Sequence, residues 1–150
     1  MNFQHRLKER RKMHRKIMPS ELNYDFSSVL AAVNAAEAGP SMSDIDAAPV
    51  LDEWWPAFDP HRTPFLIGRV NNHPVLGSKS IRTSRLLALN KHAGWARTFN
   101  RWYRLGAPAS DLPIPMPGLN PINSVETLGA LLADYIKRVR ELEAAPRRNT

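Results

Sequence analysis

Residues 65–105, FLIGRVNNHP VLGSKSIRTS RLLALNKHAG WARTFNRWYR L, decide the fold, because here helical spacing of apolar residues gives way to short runs. Residues 65–70 form an apolar run closed by Asn71-Asn72 and His73-Pro74, which favour turns. Residues 81–89 form a second run, although Arg85-Leu-Leu-Ala-Leu89 also has the composition of a helix. Asn90-Lys-His-Ala-Gly94 reads as a compact loop, with Gly94 suited to positive φ. Residues 95–105 form a third run. Read as one strand, it sets Trp95, Arg97, Phe99, Arg101 and Tyr103 on one face and Ala96, Thr98, Asn100, Trp102 and Arg104 on the other. Neither face is cleanly apolar, which points to a bulge or a two-sided environment. The expectation is an α+β fold. A small antiparallel three-stranded sheet, at about 65–71, 80–89 and 95–105, is packed by N-terminal helices and a long C-terminal helix.

On the N-terminal side, Ser20 follows Pro19 as an N-cap, with Glu21 in the first turn. Leu22, Phe26, Val29, Leu30 and Val33 recur at helical spacing, and Gly39-Pro40 stops that helix. Ser43 and Asp46 stand at capping-box spacing for a second, short helix before Pro49. Residues 50–55 read as a further helical turn burying Leu51 and Trp54, and Pro56, Pro60 and Pro64 confine residues 56–64 to an irregular connection. Beyond the sheet, prolines 108, 113, 115, 117 and 121 predict an extended strap. Ser124 then caps a closing helix whose stripe is Val125, Leu128, Leu131, Leu132, Tyr135, Ile136, Val139 and Leu142.

The chain has 150 residues, 43% of them hydrophobic, enough for one domain with one core. No apolar run reaches the ~18 residues that a membrane-crossing helix needs. Without cysteine there is no disulfide framework, thiolate metal site or cysteine nucleophile, so a reducing cytoplasmic setting is expected. The net charge of +7 is unevenly spread. Residues 1–18 carry Arg6, Lys8, Arg10, Arg11, Lys12, Arg15 and Lys16 against the single acid Glu9, which leaves 14 basic and 13 acidic residues for the rest. The organisation expected is a basic leader (1–18), one α+β domain (19–145) and a frayed tail (146–150). The leader has helical composition, but Arg6, Arg10 and His14 interrupt the sector of Phe3, Leu7, Met13, Ile17 and Met18, so it firms only against a partner.

Seven cations within residues 6–16 attract phosphates and release counterions on contact. The leader's one aromatic, Phe3, supplies no interleaved stacking platform, so sequence-tolerant binding is expected. An anionic membrane surface, an acidic protein groove and an Arg-rich, acid-poor targeting presequence are its alternatives. A second candidate surface gathers Arg82, Arg85, Arg97, Arg101 and Arg104 beside Trp95, Trp102 and Tyr103, since arginine next to aromatics suits phosphate contact and stacking. Against that stands plain packing, in which the rings fill the core and arginine stems cover the sheet. The histidines (5, 14, 61, 73 and 92) lack metal-ligand spacing, and no metal or other cofactor is expected. Asp52-Glu53 and Asp59-Pro-His61 are the compact acidic groups, and neither lies in a nucleophile or phosphate-loop motif, so no catalytic residue is assigned.

Gly68-Arg-Val-Asn-Asn-His-Pro74, Thr83-Ser-Arg-Leu86, Gly94-Trp-Ala-Arg-Thr98 and Tyr103-Arg-Leu-Gly106 form a module over about residues 50–107. It is similar to that of uncharacterised short alphaproteobacterial proteins, often associated with plasmids or phages. The resemblance implies a mobile-element setting and strands at Thr83 and Trp95, and it transfers no activity. Two functions remain as expectations. The first is a non-catalytic accessory or regulatory protein that docks nucleic acid through its leader, nucleoid-associated if the ligand is DNA, with a body that dimerises or recruits another protein. The second is a protein-interaction module that regulates or inhibits an enzyme through an acidic surface.

Overall fold

The computed structural model describes residues 25–75, 77–111 and 117–145. The leader, the expected cap at Ser20 and the tail lie outside the described residues. In chain order come α1 (Phe26–Ala38), α2 (Met42–Ala47), β1 (Val50–Phe58), β2 (Pro64–His73), β3 (Gly77–Arg82), β4 (Leu86–Asn90), β5 (Trp95–Thr98), β6 (Trp102–Leu105), β7 (Asn120–Pro121) and α3 (Val125–Ala144). The expected three-stranded antiparallel meander is overturned: the strands form a seven-stranded mixed sheet in the order β3-β2-β1-β6-β5-β4, with β7 also beside β1. Among these strands only β1 and β6 run parallel, through Val50↔Arg104 and Leu51↔Leu105.

Three local features account for the difference. Residues 50–55, expected as a helical turn, begin β1. A bulge between Asp52 and Trp55, with Glu53 at φ 50°, inserts a residue out of phase. Leu51 and Trp54 both point inward across it, and their spacing of three imitates a helix. The expected strand 80–89 is in fact two. It bends at residues 83–85, so β3 pairs with β2 while β4 pairs with β5. Thr83 holds the bend: its N–H donates to the Leu66 carbonyl (2.9 Å) and its hydroxyl accepts from the Leu66 N–H (3.0 Å). Strands from both ends of the order meet one core through Ile81 of β3 and Leu86 of β4, so the sheet curls into a half-open barrel, without pairing between β3 and β4 among the described residues.

The expected strand 95–105 is a hairpin. The Thr98 N–H donates to the Arg101 carbonyl (2.9 Å), the Arg101 N–H donates to the Thr98 hydroxyl (3.3 Å), and β6 returns along β5. Faces therefore differ from those of one continuous strand: Trp95 and Trp102, expected on opposite sides, now share one.

Leu51, Leu66, Val70, Ile81, Leu86, Ala96 and Tyr103 fill the inner face together with Trp54, and Ile122 and Leu128 close over them. Outside, Leu87 packs with Ala32, Val33 and Ala36 of α1 and with Tyr135 and Val139 of α3. Burial of β4 on both faces explains why Leu86-Leu87 carried no alternation. Gly68 permits the closest approach of β1 and β2: a Cβ there would stand 2.8 Å from Leu51 Cγ and 2.9 Å from the Asp52 carbonyl oxygen.

Helix α1 begins at Phe26 with Asp25 as its N-cap. The Asp25 carboxylate accepts from the Ser28 N–H (2.8 Å), a bond that holds its pKa below the usual value. Phe26, expected on the buried face, is exposed, and small residues make the contact instead. The capping box of α2 is Ser41 with Asp44, two residues earlier than expected, because Ser41 has the extended backbone that an N-cap requires. Ser124 caps α3 by accepting from the Thr127 N–H (3.2 Å), and Arg140 ties that helix to α1 through Glu37 (2.6 Å) and Asn34 (2.7 Å).

Candidate nucleic-acid interface

The arginines expected to form one surface with Trp102 are divided among several environments. On the outer face of β5–β6, Trp95 stands opposite Arg104 and Arg97 opposite Trp102. The two indole rings meet edge to face at 5.5 Å, and the Arg97 guanidinium lies 5.2 Å from the Trp102 centroid. Trp102 is buried and Arg97 half-buried. Arg97 Nε finds no hydrogen-bond partner among the described residues, and burial lowers the pKa of the group against the opposing pull of Asp44. Arg104 is exposed but donates from Nε to the Ala48 carbonyl (3.1 Å). Arg85 is interior, stacked 4.0 Å above Tyr135 and within 3.3 Å of the Thr63 hydroxyl. Arg82 belongs to the other hairpin and lies 3.8 Å above the Phe65 ring. Arginine beside aromatics here serves packing as much as presentation.

One signal was missed although it stood in the sequence. Between Asp59 and Asp111 there is no Asp or Glu, whereas nine Lys or Arg occur. Totalling the body's charge conceals this, because the compensating acids sit on the helices, on β1 and in flanking loops. The acid-free stretch is β2 through β6, with the acid-bearing β1 lying between β2 and β6 in the sheet. Its pairing also differs from that of α3. On the helix, Arg138 meets Asp134 at 3.2 Å and Arg140 meets Glu37 and Glu143. On the β2–β3 hairpin, Arg69 lies opposite Ser80, Arg82 opposite Ile67 and Lys79 opposite Val70. All three cations are exposed, and among the described residues none of the three forms an ion pair. Asp52, opposite Arg69 in register, has its carboxylate against Gly106.

Where the inner face meets the β2–β3 turn, His73 and Tyr103 form a buried pair. His73 Nδ1 accepts from the Val75 N–H (3.1 Å), so in the neutral ring the proton is on Nε2, which donates to the Tyr103 oxygen at 3.4 Å. Burial first, then Arg101 and Lys79, lower the His73 pKa, and burial raises that of Tyr103. Asp59 is also buried; one oxygen accepts from the N–H groups of His61 (2.9 Å) and Thr63 (3.0 Å), shaping the turn in which Arg62 takes φ 62°. His61 is exposed, and Asp52-Glu53 occupies the β1 bulge instead of a helix. Among the described residues no three His, Asp or Glu side chains gather as metal ligands, and no helix is long and apolar enough to cross a membrane. Open hollows lie on the surface of the described residues. One of about 460 Å³ runs along Trp54, Trp55, Pro108, Pro121 and Ile122, and one of about 410 Å³ lies between Asp46, Asp52, Asn71 and Arg104.

The seven leader cations lie outside the described residues, so their geometry adds nothing to the site. Comparison with curated proteins and with solved structures finds no match. A family model does match, over residues 16–114, a span that takes in α1, α2 and β1 to β6, the entire barrel wall. The chain therefore belongs to a family of unknown function, DUF6634.

Proposed function

We propose that the protein is a non-catalytic accessory or regulatory factor that binds nucleic acid through its basic leader, with little sequence preference. The observation that carries this reading is the concentration of Arg6, Lys8, Arg10, Arg11, Lys12, Arg15 and Lys16 in eleven residues beside one acid. Repulsion among so many cations opposes a compact state, and a polyanion relieves it by shedding condensed counterions. Phosphate contacts position a protein without reading bases, and nothing in the leader has the pattern of a base reader. In a cell such a protein would travel with the nucleoid.

The test is duplex-DNA binding by the full chain and by a full-length variant with the seven leader cations changed to glutamine. About five leader contacts contribute roughly −4 to −5 to the log–log salt slope. The variant should lose that part of the slope and bind at least a hundredfold more weakly near 0.1 M salt. Equal binding by the two proteins would refute the leader's role. A stoichiometric complex with an acidic protein that survives nuclease, with no DNA binding at low salt, would establish the protein-interaction module instead.

A further inference from the structure

The β2–β3 hairpin offers a second surface of the same chemistry, distinct from the leader and from the arginine–tryptophan face of β5–β6. Resting on the nucleic-acid reading above, we propose that Arg69 and Arg82, which the register sets with Ser80 on one face of the hairpin, together with Lys79 on the opposite face of the same edge strand, contact the phosphate backbone of a nucleic acid held by the leader.

Four observations on the fold converge on this hairpin. The three cations are exposed and without ion pairs among the described residues, in a chain that pairs Arg138 and Arg140 with carboxylates at 2.6–3.4 Å. The hairpin itself, residues 64–82, contains no acid, and the carboxylate of Asp52, opposite Arg69 on the neighbouring β1, lies against Gly106. Strand β3 ends the strand order, and no described strand covers its second edge. Its sequence, Gly77-Ser-Lys-Ser-Ile-Arg82, buries only Ile81, so small residues and hydroxyls flank the cations and a sugar–phosphate chain can approach closely.

Protection of a sheet edge is the competing account, since a lysine on an open edge discourages pairing with another chain. It explains Lys79. It does not explain Arg69, which stands on β2 with a strand on either side. Nor does packing account for Arg69 as it does for Arg82, which covers the Phe65 ring.

The experiment is fluorescence anisotropy on a labelled duplex, from 50 to 250 mM salt, using full-length proteins. Arg69→Gln/Lys79→Gln removes two contacts and should reduce the magnitude of the log–log slope by about 2, at an unchanged Tm. Arg69→Glu/Lys79→Glu should weaken binding more than tenfold at low salt. Lys137→Gln/Arg138→Gln, on α3, should change neither. A wild-type slope in the hairpin variant, while the leader variant loses affinity, overturns this proposal and leaves the leader's role standing. Aggregation of the hairpin variant with an unaltered slope assigns these residues to edge protection and overturns it as well. Absence of wild-type binding at 50 mM salt overturns both readings.

Discussion

His73 and Gly68 are side by side in purpose: each holds β2 in place by a feature that a substitution can isolate. The fold keeps His73 neutral, because its ring is buried between the Val75 N–H and Tyr103 with Arg101 and Lys79 nearby. As pH falls through about 6.5 the unfolded chain takes up a proton that the folded chain refuses. Stability from the neutral ring is therefore whole above that pH and declines below it, toward the depressed folded pKa. Thermal unfolding from pH 7.5 to 5.5 should show Tm falling in the wild type and a flatter curve for His73→Gln, which cannot titrate; superimposable curves would contradict the assignment. Gly68→Ala forces a Cβ against Leu51 and the Asp52 carbonyl, and overpacking of this kind costs ~1–3 kcal/mol. Urea denaturation measures that loss directly, and a variant of unchanged midpoint would mean that β1 yields freely.

At the scale of elements, the barrel's cations have separable duties. Arg85 lies inside, joining the bend after β3 to α3 through Tyr135 and Thr63. Arg85→Ala should cost about 2–3 kcal/mol, in the range of hydrogen bonds from charged groups, and should leave the salt slope of binding unchanged. The opposite pattern, an intact Tm with an altered slope, would move Arg85 from the scaffold to the binding surface.

The same scale shows what could be read in advance. Ser124 as a cap, Gly39 as a stop and Gly94 in a turn were legible because each acts through its own backbone, with φ 81° and 82° at the two glycines. Curling of the sheet was hidden by features that disturb periodicity. The bulge at Glu53 makes Leu51 and Trp54 mimic a helix, and a four-residue return at Thr98 brings Trp95 onto Trp102. The bend at Thr83 is set by hydrogen bonds to Leu66, a residue 17 positions away, so no local pattern announces it. Of the candidate site, cations were easy to find and their surroundings were not. Sequence adjacency to tryptophan suggested presentation for Arg97, whereas the hairpin packs it against Trp102. The acid-free run from residue 60 to residue 110 was countable from the start, and only the strand order shows that β1, with Asp52 and Glu53, divides it into β2–β3 and β4–β6.

For the molecule as a whole, cations are concentrated in the leader, beside the single acid Glu9, and on strands β2 to β6, which carry no acid, while β1, between β2 and β6 in the sheet, carries Asp52 and Glu53. If both regions hold phosphates, their contributions to counterion release add, because each contact sheds its own ions. The account is tested most directly by the salt dependence of full-chain binding to a duplex of about 25 base pairs. Five leader contacts with two or three from the hairpin predict a log–log slope of about −6 to −7, independent of sequence. A slope flatter than about −2, or no binding at 50 mM salt, would contradict it.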